Sequence, residues 1–273
     1  MPKLRPHNLL FILANLVGLA GFLYPFLLPA AGLAAQERPD APLLFFIVTS
    51  LCLLILLADL SARELDPRTI ALMGVLAALN AALRLIENTV IVIPGGFTPV
   101  FLLIILCGYT FGSRFGFLFG ALSLLASALI TGGLGPWIPY QMIAAGWIGL
   151  GAGLLPHPER PQIRRALLIA YGAVWGLLYG ALLNLYFWPF ISGPQSWAPG
   201  LSLLETLQRY LTFYTVTSFI WDLSCAAGNI GLLFFLSPPL LHILERFQRR
   251  TRIIYESNFH LEENSLEFSR FPY

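Results

Sequence analysis

Eight apolar runs follow one another along this chain, at about residues 8–29, 41–60, 69–87, 99–112, 115–131, 139–155, 166–188 and 209–241. At 1.5 Å per helical residue most of them approach or exceed the thickness of a hydrocarbon core of about 30 Å. None alternates apolar with polar residues as a barrel strand does, and lipid offers a backbone amide no water partner, so each run is read as a helix. The run at 99–112 is short for a span and must either tilt little or reach its length through its flanks. The chain is therefore expected to be an all-α integral membrane protein. Its composition agrees: 57% hydrophobic, 11% charged, with a mean hydropathy of +0.75, outside the range of soluble domains. The first run can also be read as a signal peptide, but its apolar core of about 20 residues exceeds the 7 to 15 of a signal segment, which favours a retained helix.

The charges are sorted along the chain. With the N-terminus inside, Lys3, Arg5, Arg63, Arg68, Arg114, Arg160, Arg164, Arg165, Arg246, Arg249, Arg250, Arg252 and Arg270 fall on the cytoplasmic side, leaving Arg38, Arg84 and Arg209 at or toward the outside. Thirteen of the sixteen cations on one side predict a multi-pass protein of the cytoplasmic membrane with both termini in the cytoplasm. The segment after Thr251 carries Glu256, Glu262, Glu263 and Glu267 and reads as a weakly ordered tail.

This topology puts three Gly-, Pro- and aromatic-rich connections outside: "NTVIVIPGGFTP" from Asn88, "TGGLGPWIPYQM" from Thr131 and "WPFISGPQSWAPGLSL" from Trp188. Gly and Pro set sharp backbone paths and large rings supply contact surface, so the three read as a structured cover for an outward-facing pocket. An interfacial aromatic belt accounts for any single Trp, but does not call for the glycines and prolines.

Polar residues within the spans are costly and mark function or pairing. Asn80, Arg84 and Glu87 share one face of the third helix at i, i+4 and i+7. Two readings stand: they line a substrate cavity, or Arg84 and Glu87 pair at the outer interface. Gly74, Ala77, Ala78, Ala81 and Ala82 form a smooth face about 100° away that permits close helix approach. Further small-residue ladders, Gly112/Gly116/Gly120, Gly149/Gly153 and Gly172/Gly176/Gly180 with Asn184, read as internal packing seams. Asp222 is the one carboxylate deep within a predicted span; it needs either a partner, of which Arg84 is the candidate, or a hydrated cavity.

Catalytic and metal signatures are missing. There is no His-Glu-x-x-His, no Gly-x-Ser-x-Gly and no phosphate-binding loop, and His7, His157, His242 and His260 all map to the cytoplasmic side. Cys52, Cys107 and Cys225 lie singly within apolar runs, suggesting neither disulfides nor zinc. No enzyme, cofactor or metal is expected. A proton-coupled small-molecule carrier centred on Asp222 stays open as an alternative, although no inverted repeat or pair of interrupted helices is visible; a structural scaffold is a third class.

From Arg68 to about Glu245 the chain resembles the substrate-binding, or S, component of energy-coupling factor vitamin transporters. The stretches "RTIALMGVLAALNAALRLIE", "FGFLFGALSLLASALITGGLGPWIPYQMIAAGWIGLGAGLLP" and "LLNLYFWPF" further resemble its cobalamin branch. The resemblance implies a six-helix core, here residues 61–245, preceded by two additional transmembrane helices at 1–60 and followed by a cytoplasmic tail at 246–273. It implies a subunit that captures its vitamin outside, hydrolyses nothing, and relies on a transmembrane coupling subunit and two ATP-binding cassette ATPases, toppling in the bilayer to release its cargo. The small residues Gly74, Ala77, Ala78, Ala81 and Ala82 would face that coupling subunit, with the choice between Ala77/Ala81 and Ala78/Ala82 open. A corrinoid, broad and amide-rich with apolar edges, suits walls of Phe97, Trp137, Tyr140, Trp188 and Trp197 with Gln141 and Asn184 as amide partners, beside Asn80, Arg84 and Asp222. Another vitamin or a corrinoid precursor suits the same loops. With every histidine on the cytoplasmic side, capture is expected without histidine ligation of cobalt.

Overall fold

The computed structural model describes residues 6–23, 26, 40–61, 67–89, 98–190 and 196–269. These residues form helices α1 (Pro6–Leu23), α2 (Asp40–Ser61), α3 (Pro67–Thr89), α4 (Val100–Phe111), α5 (Ser113–Thr131), α6 (Ile138–Ala152), α7 (Pro161–Leu185), α8 (Leu203–Thr217) and α9 (Phe219–Ser269), with a 3-10 turn at Trp188–Phe190. Among the described residues five stretches are long and apolar enough to cross a membrane: Pro42–Ser61, Pro67–Glu87, Ser113–Thr131, Pro161–Phe190 and Phe219–Arg250. Exposed Leu43, Phe46, Leu57, Val75, Val174 and Phe235 clothe their outer faces, the arrangement lipid favours.

The short fourth run proves to be the centre of the bundle. Every residue of α4 from Val100 to Thr110 is buried, and the helix packs on α3, α5, α6, α7 and α9. Its 12 residues span about 18 Å, and because neighbouring helices enclose it, no mismatch with lipid arises. Its last carbonyls, which have no partner within the helix, are taken up from outside. His157 donates from Nε2 to the Tyr109 carbonyl at 3.0 Å, and Gln248 donates to that of Thr110 at 2.6 Å.

Gly112 turns α4 directly into α5 at φ 94°, a conformation that favours glycine. The α4, α5 and α6 backbones then touch one another. A Cβ on Gly149 would fall inside the Gly116 carbonyl, and Cβ atoms on Gly108 and Gly116 would fall inside that of Gly149. Apolar burial gives little net drive between helices already in lipid, so such close backbone contact is what holds the seam.

Along α7 and α9 the spacing Gly172, Gly176, Gly180 receives Leu233, Ala226 and Asp222 in turn. Asn229 donates to the Gly172 carbonyl at 2.9 Å. Pro238 and Pro239 sit inside α9. Pro238 has no N–H to offer the Phe234 carbonyl; the Arg165 guanidinium donates to that carbonyl and lies 3.7 Å from the centroid of the Phe234 ring.

The helical pair α1–α2 packs on α5 and α6. Arg114 donates to Asp59 of α2 at 2.9 Å and to Asn8 of α1 at 2.7 Å. Trp147 donates to Asn15 at 2.9 Å, and Phe22 meets Tyr140 and Trp147. The two extra helices are therefore part of one packed bundle.

Two boundaries differ from expectation. The run at 209–241 is two helices broken at Ser218, whose φ of −129° departs from helix geometry. Beyond it α9 continues to Ser269 where a weakly ordered tail was expected; between Pro239 and Pro272 the sequence holds no Gly or Pro to stop it. At the start of α8, Ser202 and Glu205 form a capping box, and the Ser202 hydroxyl and amide hold the exposed Glu205 carboxyl below its ordinary range.

Candidate functional site

One end of the bundle gathers the C-termini of α3, α5 and α7, the N-terminus of α6, the turn at Trp188 and the α8 segment. The opposite end carries Arg164, Arg165, Arg246, Arg249 and Arg250. The polar residues singled out in the spans cluster toward the first end.

On α3, Asn80 is 1% exposed. Its Nδ2 donates to Ser123 Oγ of α5 at 3.3 Å, and the Ser123 hydroxyl donates to the Gly120 carbonyl. Asn80 Oδ1 has no hydrogen-bond partner. One turn nearer the loops, Arg84 Nη1 on α3 and the buried Ser127 Oγ on α5 are also without partners, as is Gln141 Oε1 on α6. Each such atom costs about 1–3 kcal/mol if left unsatisfied. Together they offer one guanidinium donor, two amide acceptors and a hydroxyl that can do either, a set suited to a neutral, amide-bearing ligand. Glu87 is engaged otherwise: it accepts from the Thr98 hydroxyl at 2.9 Å, tying the end of α3 to the start of α4.

Asp222 lies in the first turn of α9, where the N-terminal end of the helix favours negative charge. Its carboxylate fills the space a Cβ on Gly180 would take, beside Tyr210 and Tyr214, and Oδ2 has no hydrogen-bond partner. Tyr214 donates to the Leu177 carbonyl at 3.3 Å and Tyr210 to that of Ala181. Among the described residues no ion pair joins Asp222 to Arg84; Arg114 pairs with Asp59 and Arg164 with Glu245. The break at Ser218 places Asp222 at a helix start and not mid-helix, where the helix end favours its negative charge.

The aromatic residues divide. Trp188 is 1% exposed and meets Tyr210 edge-on at 5.1 Å. Trp197 meets Phe26 at 5.7 Å, and Phe26 also meets Trp188 at 6.1 Å. Tyr140 is buried, stacked on Tyr186 at 4.4 Å with Phe22 across its other edge. Trp137, which is 41% exposed, donates to the Gly133 carbonyl at 3.2 Å, and its ring fills the space beside Gly135. The "TGGLGPWIPYQM" segment is thus a turn clasped by its own tryptophan, with Gln141 directed inward just after it. Asn184 donates to Ser218 Oγ at 2.6 Å and so anchors the α8–α9 break. Phe97 lies outside the described residues.

The smooth face of α3 also divides. Ala77 and Ala81 are buried, at 8% and 0% exposure, and have no surface to offer another subunit. Gly74, Ala78 and Ala82 are exposed at i, i+4 and i+8, and nothing lies within 4 Å of a Cβ placed on Gly74. The residues that sequence reasoning passed over are Ser127, Tyr210, Tyr214 and Phe26. Ser123/Ser127 and Tyr210/Tyr214 carry the same i, i+4 signal that identified Asn80 and Arg84; Phe26 carries none.

Residues 68–237 match the family model described as ECF transporter, substrate-specific component. No curated protein and no solved structure matches the chain.

Proposed function

Because the chain belongs to the substrate-specific components of ECF transporters, we propose that it captures cobalamin or a related corrinoid at its loop-bearing outer end and docks on a transmembrane coupling subunit served by two ABC-type ATPases. The family makes it a multi-pass membrane subunit of a transporter. The observation that carries the choice of ligand is the set of unpartnered buried atoms, Asn80 Oδ1, Arg84 Nη1, Ser127 Oγ and Gln141 Oε1. A corrinoid carries a rim of amides able to give and accept hydrogen bonds at several points, and its apolar edges suit Trp197 and Phe26, behind which Trp188 is buried. Docking is assigned to Gly74, Ala78 and Ala82, whose small side chains let a partner helix approach closely.

Calorimetric titration of the purified chain tests this, with cobalamin, cobinamide, thiamine and riboflavin compared. Tight corrinoid binding near nanomolar, about −12 kcal/mol, with Arg84→Gln and Gln141→Ala each about tenfold weaker, is the expected result. Binding of thiamine or riboflavin alone transfers the site to that vitamin, and no binding by any of the four removes the ligand assignment. Asp222→Asn separates the carrier alternative: transport by the isolated chain in vesicles, lost in this variant, would replace capture with proton coupling.

A further inference from the structure

Two clefts open at the basic end of the bundle, each of about 270 Å³. The first lies between α7 and α9 and is lined by Gln162, Arg164, Arg165, Ser237, Pro238 and Leu241 among others. The second follows on α9, between His242, Glu245, Arg246, Arg249 and Arg250. The Arg164–Glu245 ion pair at 2.8 Å bridges the two. Their linings hold five arginines against one glutamate, leaving a clear cationic excess after that pair is made.

Two buried polar atoms in the first cleft lack partners. Ser237, 1% exposed, has no hydrogen-bond partner for its hydroxyl, and Arg165 has none at Nε. The Arg165 side chain is held by its Nη2, which donates to the Phe234 carbonyl, and by its guanidinium lying over the Phe234 ring. The Nε of this fixed side chain is left without a partner. A hydroxyl and a guanidinium N–H, both prepaired to nothing, match the oxygens of a phosphate.

The cleft lining includes the apolar Pro238 and Leu241, and Ile163, Phe234, Phe235 and Ile243 on the same two helices are exposed. A free anion would leave that apolar surface bare, whereas the phosphate of a phospholipid would bring acyl chains to cover it. We propose that this cleft binds the headgroup of an anionic phospholipid, with its phosphate on Arg165 and Ser237, its chains along Pro238 and Leu241, and the arginines of α9 supplying the long-range attraction. Basic pockets between membrane helices recognise anionic headgroups by this chemistry. The site is separate from the substrate end and does not depend on which ligand is captured there.

Native mass spectrometry of the full chain, titrated with phosphatidylglycerol, with phosphatidylcholine of the same acyl chains and with inorganic phosphate, tests the site. Phosphatidylglycerol is expected to saturate one position at concentrations where phosphatidylcholine and millimolar phosphate leave it empty. Ser237→Ala and Arg246→Gln are each expected to weaken binding on the order of fivefold, with melting in phosphatidylcholine unchanged. Arg165→Gln is uninformative alone because that residue also serves the Phe234 carbonyl, so the conclusion rests on the other two variants. Equal retention of both lipids, or phosphatidylglycerol binding unaltered in both variants, would overturn the proposal; displacement of the lipid by millimolar phosphate would assign the site to the free anion.

Discussion

Arg114 is the residue through which the N-terminal helices are fastened to the family core, and its removal has a calculable cost. Its Nε lies 2.9 Å from Asp59 Oδ2, with side-chain exposures of 23% and 0%. Its Nη1 donates to Asn8 at 2.7 Å, and its guanidinium carbon lies 5.2 Å from the centroid of the Phe11 ring. Three elements, α1, α2 and α5, thus meet at one cation. In Arg114→Ala, a carboxylate with no solvent access loses its guanidinium. Breaking a buried pair costs about 3–5 kcal/mol, and the residual exposure of Arg114 argues for the lower end, about 3 kcal/mol. At this chain length that loss corresponds to a fall in melting temperature of roughly 6–12 °C. The assay is thermal unfolding in detergent followed by tryptophan fluorescence, in which Trp147, bonded to Asn15 of α1, reports on the contact directly. Arg114→Met with Asp59→Asn removes both charges and should recover most of the loss, since a paired replacement leaves no buried charge behind. A melting temperature within about 1 °C of wild type for Arg114→Ala would refute the reasoning. So would a double variant no more stable than the single one.

Ala78→Phe and Ala82→Phe change exposed positions and should leave folding and ligand binding intact while abolishing co-purification with the coupling subunit. Ala81→Phe, at a site with 0% exposure, should instead destabilise the chain by about 1–3 kcal/mol, and the opposite pattern would show that the faces of α3 are assigned backwards. Gly149→Ala puts a Cβ well under 3.0 Å from the Gly116 backbone and should cost about 1–3 kcal/mol in unfolding measurements. Gly74→Ala, with open space around it, should melt within about 2 °C of wild type or above it; equal destabilisation by both would mean that the close backbone seam is not the source of the cost.

Much of this architecture is legible along the chain. The apolar runs at 8–29, 41–60, 69–87, 115–131 and 139–155 each correspond to one helix within a few residues at most ends, because exclusion of water from a bilayer imposes itself on composition, residue by residue. Of the ladders Gly112/Gly116/Gly120, Gly149/Gly153 and Gly172/Gly176/Gly180, every glycine but Gly112 meets a close neighbour, since a missing side chain is itself the signal; Gly112 instead makes the turn between α4 and α5. The polar stripe of Asn80 and Arg84 was visible for the same reason: a costly residue in an apolar run stands out.

The partner of each such residue was not visible. From the sequence Asp222 needs either a partner such as Arg84 or a hydrated cavity; in the structure it stands at a helix start one turn after the break, with its carboxylate in the space left by Gly180. Ala77, Ala78, Ala81 and Ala82 are chemically alike, so no sequence rule tells the buried pair from the exposed one; only the approach of α5 to one side of α3 separates them. Trp137 and Trp188 are likewise the same residue in similar Gly- and Pro-rich surroundings, and one folds over its own turn while the other is buried beneath Phe26 and Tyr210. By itself the sequence determined which segments enter the membrane and which of their residues are expensive there, because those depend on the solvent each residue meets. The tertiary structure alone decided which side of each helix faces protein and which buried polar atoms go without a partner, because those depend on neighbours brought together from far along the chain.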